Sequence, residues 1–350
     1  MRISKLLLKT AIFITIITVI NSLLSFLLRP YLGSSAEMWT TYDTKSELDM
    51  IYTGSSQCIA ALRPDVVDGK TGFTSYNMGT NMQSLHNSNK AIEQAIKDHG
   101  IKTVFAVIDF EMLSTDRYDN FRAEASFCQA QNKILPLSEA VMNNAEFITD
   151  KAFIGTPGSV NYFFPWVYDR NTNIGLNVRE KLADSILDEE GHRDTYGFEA
   201  SDEVLSQDIV SFSPEYARSI ENDTSNKFTE LYIDNEVIKE LEKMVNLCRD
   251  NNVTLIAASV PYQNHLSVYN INDYQRVNNR LEEIFTGENT YYFDFNMIKP
   301  EYFVIEHDYY RDVGHLNTTG ATAFSDFLGD FINSIDSEDV DEWFYDINDY

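Results

Sequence analysis

The chain has 350 residues, 43% of them apolar, which is enough for one large core or two smaller ones and too much for an intrinsically disordered protein. Acidic residues outnumber basic ones 54 to 27, and a net charge of -27 excludes nucleic acid and disfavours anionic headgroups as partners. Cys58, Cys128 and Cys248 are odd in number and widely spaced, so no disulfide framework or structural zinc site is expected. Each reads as a small buried apolar residue, with a nucleophilic Cys58 as the alternative.

Residues 10–28 carry no charge and are rich in Ile, Leu, Phe and Val, the length at which an α-helix crosses a bilayer. Arg2, Lys5 and Lys9 precede this stretch, while Glu37 and Asp43 are the first charges after Arg29. The positive-inside rule therefore puts the N-terminus in the cytoplasm and the remainder outside, a single-pass arrangement in the cell membrane. A cleaved signal peptide, with Ser34 and Ala36 near the cleavage point, is the alternative. Residues 1–29 are thus read as cytoplasmic flank and anchor, and residues 30–45, opened by Pro30, as a polar linker.

From residue 46 the chain alternates between short strands and helices. Strands are expected at 48–53, 74–77, 103–108, 254–260 and 291–295, and helices at 82–98, 235–251 and 274–285. Gly100 is placed to stop the first of these helices and Asp234 to cap the second. A last helix begins near Thr318 and buries Ala321, Phe324, Leu328, Phe331 and Ile335. Five strands separated by helices predict an α/β fold, a doubly wound, flavodoxin-like three-layer sandwich around a mostly parallel sheet. Residues 46–335 form this domain, interrupted by a less regular insertion at about 111–229. The insertion contains the aromatic cluster Tyr162, Phe163, Phe164, Pro165 and Trp166, and a polar segment at 184–208. Residues 336–350 hold seven acidic residues and read as a solvated tail.

Two motifs fall where the active sites of parallel sheets lie, at the carboxyl ends of strands. Gly54-Ser55-Ser56-Gln57 follows the first strand; by itself it is an ordinary turn with a capping serine. Asp312-Val313-Gly314-His315 precedes the last helix and could place a carboxylate and an imidazole on one tight loop. A serine hydroxyl needs such a base to remove its proton, and the base needs a carboxylate to fix its tautomer.

In type and order these blocks resemble those of the SGNH hydrolases, the GDSL-like esterase superfamily. The resemblance spans nearly the whole domain and implies Ser56 as nucleophile, with Ser55 as the alternative, His315 as general base and Asp312 as its orienting acid. It also implies an oxyanion hole from the N–H groups of Ser56 and Gly79, the latter in Asn77-Met78-Gly79. The family's Gly-x-Asn-Asp block is not found, since Ile108-Asp109-Phe110-Glu111 follows the third strand. Asn81 is the substitute donor, while Gln57, Asp109, Pro261 and Tyr262 are candidate substrate contacts, Asp109 being structural in the alternative.

Within the superfamily the chain is most similar to membrane-anchored bacterial proteins that acylate surface polymers, including D-alanyl transfer proteins of teichoic acid modification. That likeness implies a cell-surface polysaccharide or teichoic acid substrate and a membrane-bound O-acyltransferase partner. The Tyr162 to Trp166 cluster could line an acceptor groove, or simply pack. His86, His99, His192, His265 and His307 show no metal-binding spacing, and no metal or cofactor is expected. The competing class is a non-catalytic anchored module that keeps the fold and binds wall polymer or a membrane partner.

Overall fold

A computed structural model describes residues 2–115, 117–187, 192–205, 229–262, 269–336, 340–346 and 348. His265, residues 188–191 and 206–208 of the polar segment, most of the insertion's last third and part of the acidic tail lie outside the described residues. In chain order the helices and strands are α1 (Arg2–Leu28), α2 (Ser34–Tyr42), β1 (Met50–Thr53), α3 (Ser56–Ala61), α4 (Pro64–Thr71), β2 (Ser75–Asn77), α5 (Leu85–His99) and β3 (Thr103–Val107). They continue with α6 (Phe121–Ile134), α7 (Leu137–Thr149), α8 (Lys151–Gly155), α9 (Ile174–Ala183), α10 (Asn235–Asp250), β4 (Thr254–Ser259), α11 (Ile271–Ile284), β5 (Thr290–Asp294) and α12 (Thr318–Ser334).

The chain folds as two compact units, Met1–Glu37 with Phe121–Glu190, and Met38–Asn120 with Gly191–Tyr350. The second unit holds a five-stranded, wholly parallel sheet in the order β2-β1-β3-β4-β5. Every residue of β1 and β3 is buried, as expected of parallel strands covered on both faces. Tyr52, Phe105, Val107, Ile256 and Ala258 join Phe324, Leu328 and Phe331 of α12 in one core cluster. Leu241, Met244 and Cys248 form the buried stripe of α10, which packs on β4, while α5 packs on β1. Gly100 ends α5 in the left-handed conformation, and the Asp234 side chain accepts from the Glu236 N–H at the start of α10. Both stops stand where the sequence placed them.

Three segments differ from expectation. The linker contains α2, whose Met38, Trp39 and Tyr42 are buried, with Tyr42 Oη bonded to Asp98. The insertion supplies four helices, α6 to α9, to the first unit, whereas its residues 192–205 belong to the second. The acidic tail is not simply solvated. Val340 is buried, Trp343 stacks on Tyr302 with ring centroids 4.9 Å apart, and Phe344 packs on Phe293 and Phe295. Its apolar residues turn to the core while Asp341, Glu342 and Asp346 stay exposed.

In the first unit α1 is long and apolar enough over Lys5–Leu28 to cross a membrane. Its last turn docks on α9. Asn177 Nδ2 donates to the Leu27 carbonyl, and Lys181 Nζ to those of Phe26 and Arg29, satisfying carbonyls that a helix end leaves without partners.

Candidate active site

Strand β1 is followed by Gly54, whose φ of +151° and contacts leave no room for a side chain. A Cβ there would lie 2.8 Å from Val107 Cβ. The chain can therefore turn sharply against β3 and begin α3 at once. Ser55 is the N-cap: its Oγ accepts from the Gln57 N–H at 3.3 Å and donates to Asp109 Oδ2 at 2.7 Å. Ser56, the first helical residue, is left facing outward, and its N–H has no acceptor among the described residues.

The second half of the site is a tight loop. Tyr310 and Leu316 bridge antiparallel, Arg311 N bonds the His315 carbonyl at 3.0 Å, and Asn317 then caps α12 through the Gly320 N–H. Inside this loop Asp312 Oδ1 accepts from the Gly314 N–H at 2.8 Å. His315 Nδ1 lies 2.8 and 3.0 Å from the two Asp312 oxygens, and Nε2 lies 2.8 Å from Ser56 Oγ. Partial burial works against the Asp312 charge. The Gly314 N–H, His315 and the Arg311 guanidinium outweigh it and hold the carboxyl below its ordinary range. An ionised Asp312 keeps the imidazole proton on Nδ1, so Nε2 presents a lone pair to the Ser56 hydroxyl. The Ser-His-Asp geometry expected of residues 56, 315 and 312 is thus present, and Ser55 is occupied elsewhere.

The expected oxyanion donors are not all available. The Gly79 N–H donates to Asn77 Oδ1 at 3.0 Å rather than into the site, so the second donor expected there is already engaged. The physical reason is an Asn side chain folding onto the N–H two residues on. A glycine is needed at 79 for packing, because a Cβ would lie 2.9 Å from Cys58 Cβ. Asn81 stands on an exposed turn before α5. Asp109 is buried and bonded to Ser55 and to the Glu111 N–H, an arrangement that braces the Ser55-Ser56 turn from beneath. Burial pushes its carboxyl above the ordinary range despite the Ser55 bond. Gln57 and Pro261 are buried.

Of the expected substrate contacts, Tyr262 reaches the mouth of the site. Its N–H is fixed by Asn296 Oδ1, its Oη lies 3.3 Å from Glu111 Oε1, and its ring comes within 3.2 Å of where a Cβ on Gly314 would stand. Burial and the neighbouring Glu111 and Asp109 raise its phenol, which stays neutral. The Tyr162 to Trp166 cluster is engaged within the first unit. Tyr162 packs on Phe147 with centroids 4.8 Å apart, and Trp166 Nε1 bonds Asn21. Cys58 is buried with its thiol pushed up to about 12, mainly by desolvation, which disfavours the nucleophilic alternative.

Three residues that hold the site were not among those expected to. Asn77 Nδ2 ties α3 to β2 through the Cys58 and Leu62 carbonyls. Arg193 donates to the carbonyls of Gly79, Asn77 and Gly197. Glu199 takes Arg311 at 3.0 Å while its own N–H bonds the Ile59 carbonyl. Residues 193–205 thereby strap together the Gly79 turn, α3 and the Asp312–His315 loop. The Asn-x-Gly pattern could have revealed the first; nothing local could reveal the others. Compared with family models and with curated proteins, the chain matches none.

Proposed function

We propose that the chain is a membrane-anchored, extracytoplasmic serine esterase or O-acyltransferase acting on acyl esters of cell-surface glycan or teichoic acid. The carrying observation is the hydrogen-bonded series Ser56 Oγ, His315 Nε2, His315 Nδ1 and Asp312, at 2.8 Å per step. In this reading Ser56 Oγ attacks the ester carbonyl as Nε2 takes its proton. The Ser56 N–H donates to the developing oxyanion. Collapse expels the alcohol, which takes the proton from His315, and leaves an acyl-enzyme. Water or a sugar hydroxyl then attacks the acyl carbon, losing its proton to His315, which passes it to Ser56 Oγ as the acyl bond breaks. The strand order 2-1-3-4-5 supports a doubly wound, flavodoxin-like layering with Ser56 at the crevice where the order reverses. A spanning α1 with Arg2, Lys5 and Lys9 on the cytoplasmic side supports the extracytoplasmic placement, and a membrane-bound O-acyltransferase is the partner this placement suits.

A second reading, a non-catalytic anchored module, is favoured by the commitment of the Gly79 N–H to Asn77. The full chain incubated with an acetyl or D-alanyl ester donor and oligosaccharide separates the two. The enzyme reading predicts acyl release or transfer that falls by about 10³-fold or more in Ser56→Ala. Acyl on sugar marks a transferase and acyl lost to water an esterase; equal turnover in wild type and variant would support the non-catalytic module.

A further inference from the structure

Asn21 lies seven residues before the end of α1, about 10 Å along the helix axis. Its side chain is held on both sides by the insertion: Asn21 Nδ2 donates to the Phe163 carbonyl at 3.1 Å, and Trp166 Nε1 donates to Asn21 Oδ1 at 2.8 Å. The depth of this contact is fixed, because Asn171, Asn177 and Lys181 bond the last carbonyls of α1. The 19 uncharged residues at 10–28 cover about 28 Å, nearly the whole hydrocarbon thickness. If α1 spans, residues 159–167 therefore stand beside it within the bilayer's outer third rather than above it.

The surface they present suits that position. Val160 and Phe163 are 61% and 54% exposed. Direct packing continues from these residues to α8 and then α7, where Ile154, Leu137 and Met142 are 66%, 83% and 72% exposed. Trp166, with an apolar ring and a bonded N–H, is the residue type that favours the interface. Charge agrees as well: residues 121–187 carry six basic and seven acidic side chains, so the excess that makes the chain -27 lies elsewhere and does not repel headgroups here.

We propose that the helical insertion of the first unit is a monotopic platform, seated in the lipid interface beside α1 through residues 159–167 and the exposed face leading to α7. This rests on the reading of α1 as a membrane span. The platform fixes the height at which the chain leaves the bilayer, and lipid is its occupant.

The test uses the full chain in phosphatidylcholine vesicles, with a fluorophore on a single introduced cysteine, Phe163→Cys, Met142→Cys or Ile17→Cys, the native cysteines being buried. Lipids brominated at shallow or deep acyl positions report depth. Deep bromines should quench Ile17→Cys, and shallow bromines should quench Phe163→Cys to at least about half that extent, with Met142→Cys also quenched. Quenched Ile17→Cys with Phe163→Cys and Met142→Cys open to aqueous iodide would overturn the platform while leaving the span intact. Ile17→Cys untouched by lipid bromines would overturn the span and the platform with it. Labels at 163 and 142 shielded from both lipid bromine and iodide would overturn lipid as the occupant and point to a protein.

Discussion

Ser55 and Ser56 are the same side chain one residue apart, and their neighbours make them different. Ser55 spends its hydroxyl on Asp109 and its lone pair on the Gln57 N–H, whereas Ser56 faces His315. Gly79 shows the opposite case, a residue assigned to chemistry that packing explains first. Gly79→Ala would push a methyl to 2.9 Å from Cys58 Cβ, and is expected to lower stability by about 1–3 kcal/mol in urea unfolding. An unchanged midpoint would show that the turn has room and that the glycine serves another purpose. Asp312 and His315 were legible because their pairing is local, three residues on one loop. The fate of the Gly79 N–H was not, since it depends on which way the Asn77 amide folds.

At the scale of elements, α5 and α10 are pinned by one partly buried contact set. Glu240 accepts from His86 Nδ1 at 3.1 Å and from Asn89 Nδ2 at 2.7 Å. Burial resists its charge, but these contacts win and bring the carboxyl down to about 2 from an ordinary 4.5. A carboxyl lowered on folding adds stability that is complete above its unfolded value and disappears as pH falls through the folded one. Glu240→Gln should therefore unfold at lower denaturant at pH 7, by about 1–2 kcal/mol. The gap from wild type should close between about pH 4.5 and 2. A gap that persists unchanged at pH 2 would exclude the charge as its origin. The ends of these helices could be read from Gly100 and Asp234, because caps are chosen locally, by a left-handed backbone at Gly100 and by a side-chain acceptor at Asp234. Helices α7 to α9 were harder to read, since Leu137, Val141, Met142, Ile154, Ile174 and Leu182 are apolar yet exposed. The C-terminal stretch misled for a related reason: its carboxylates dominate the composition, but Val340, Trp343 and Phe344 decide where it lies.

On the scale of the whole molecule, the sheet was legible because buried parallel strands are compact apolar runs, and five of them set the topology. The division into two units was not, because it depends on which distant segment α1 meets. Residues 193–205 were hidden for the same reason: Arg193 and Glu199 act on carbonyls and a guanidinium far away in sequence. What the whole arrangement does for the chemistry reduces to one claim, that Ser56 is a nucleophile activated by His315. The full-length chain treated with a fluorophosphonate probe and mapped by peptide mass tests it directly. The account predicts an adduct on Ser56, retained in Ser55→Ala and slowed by about 10³-fold or more in His315→Ala. An adduct on Ser55, or Ser56 labelling indifferent to the loss of His315, would contradict it.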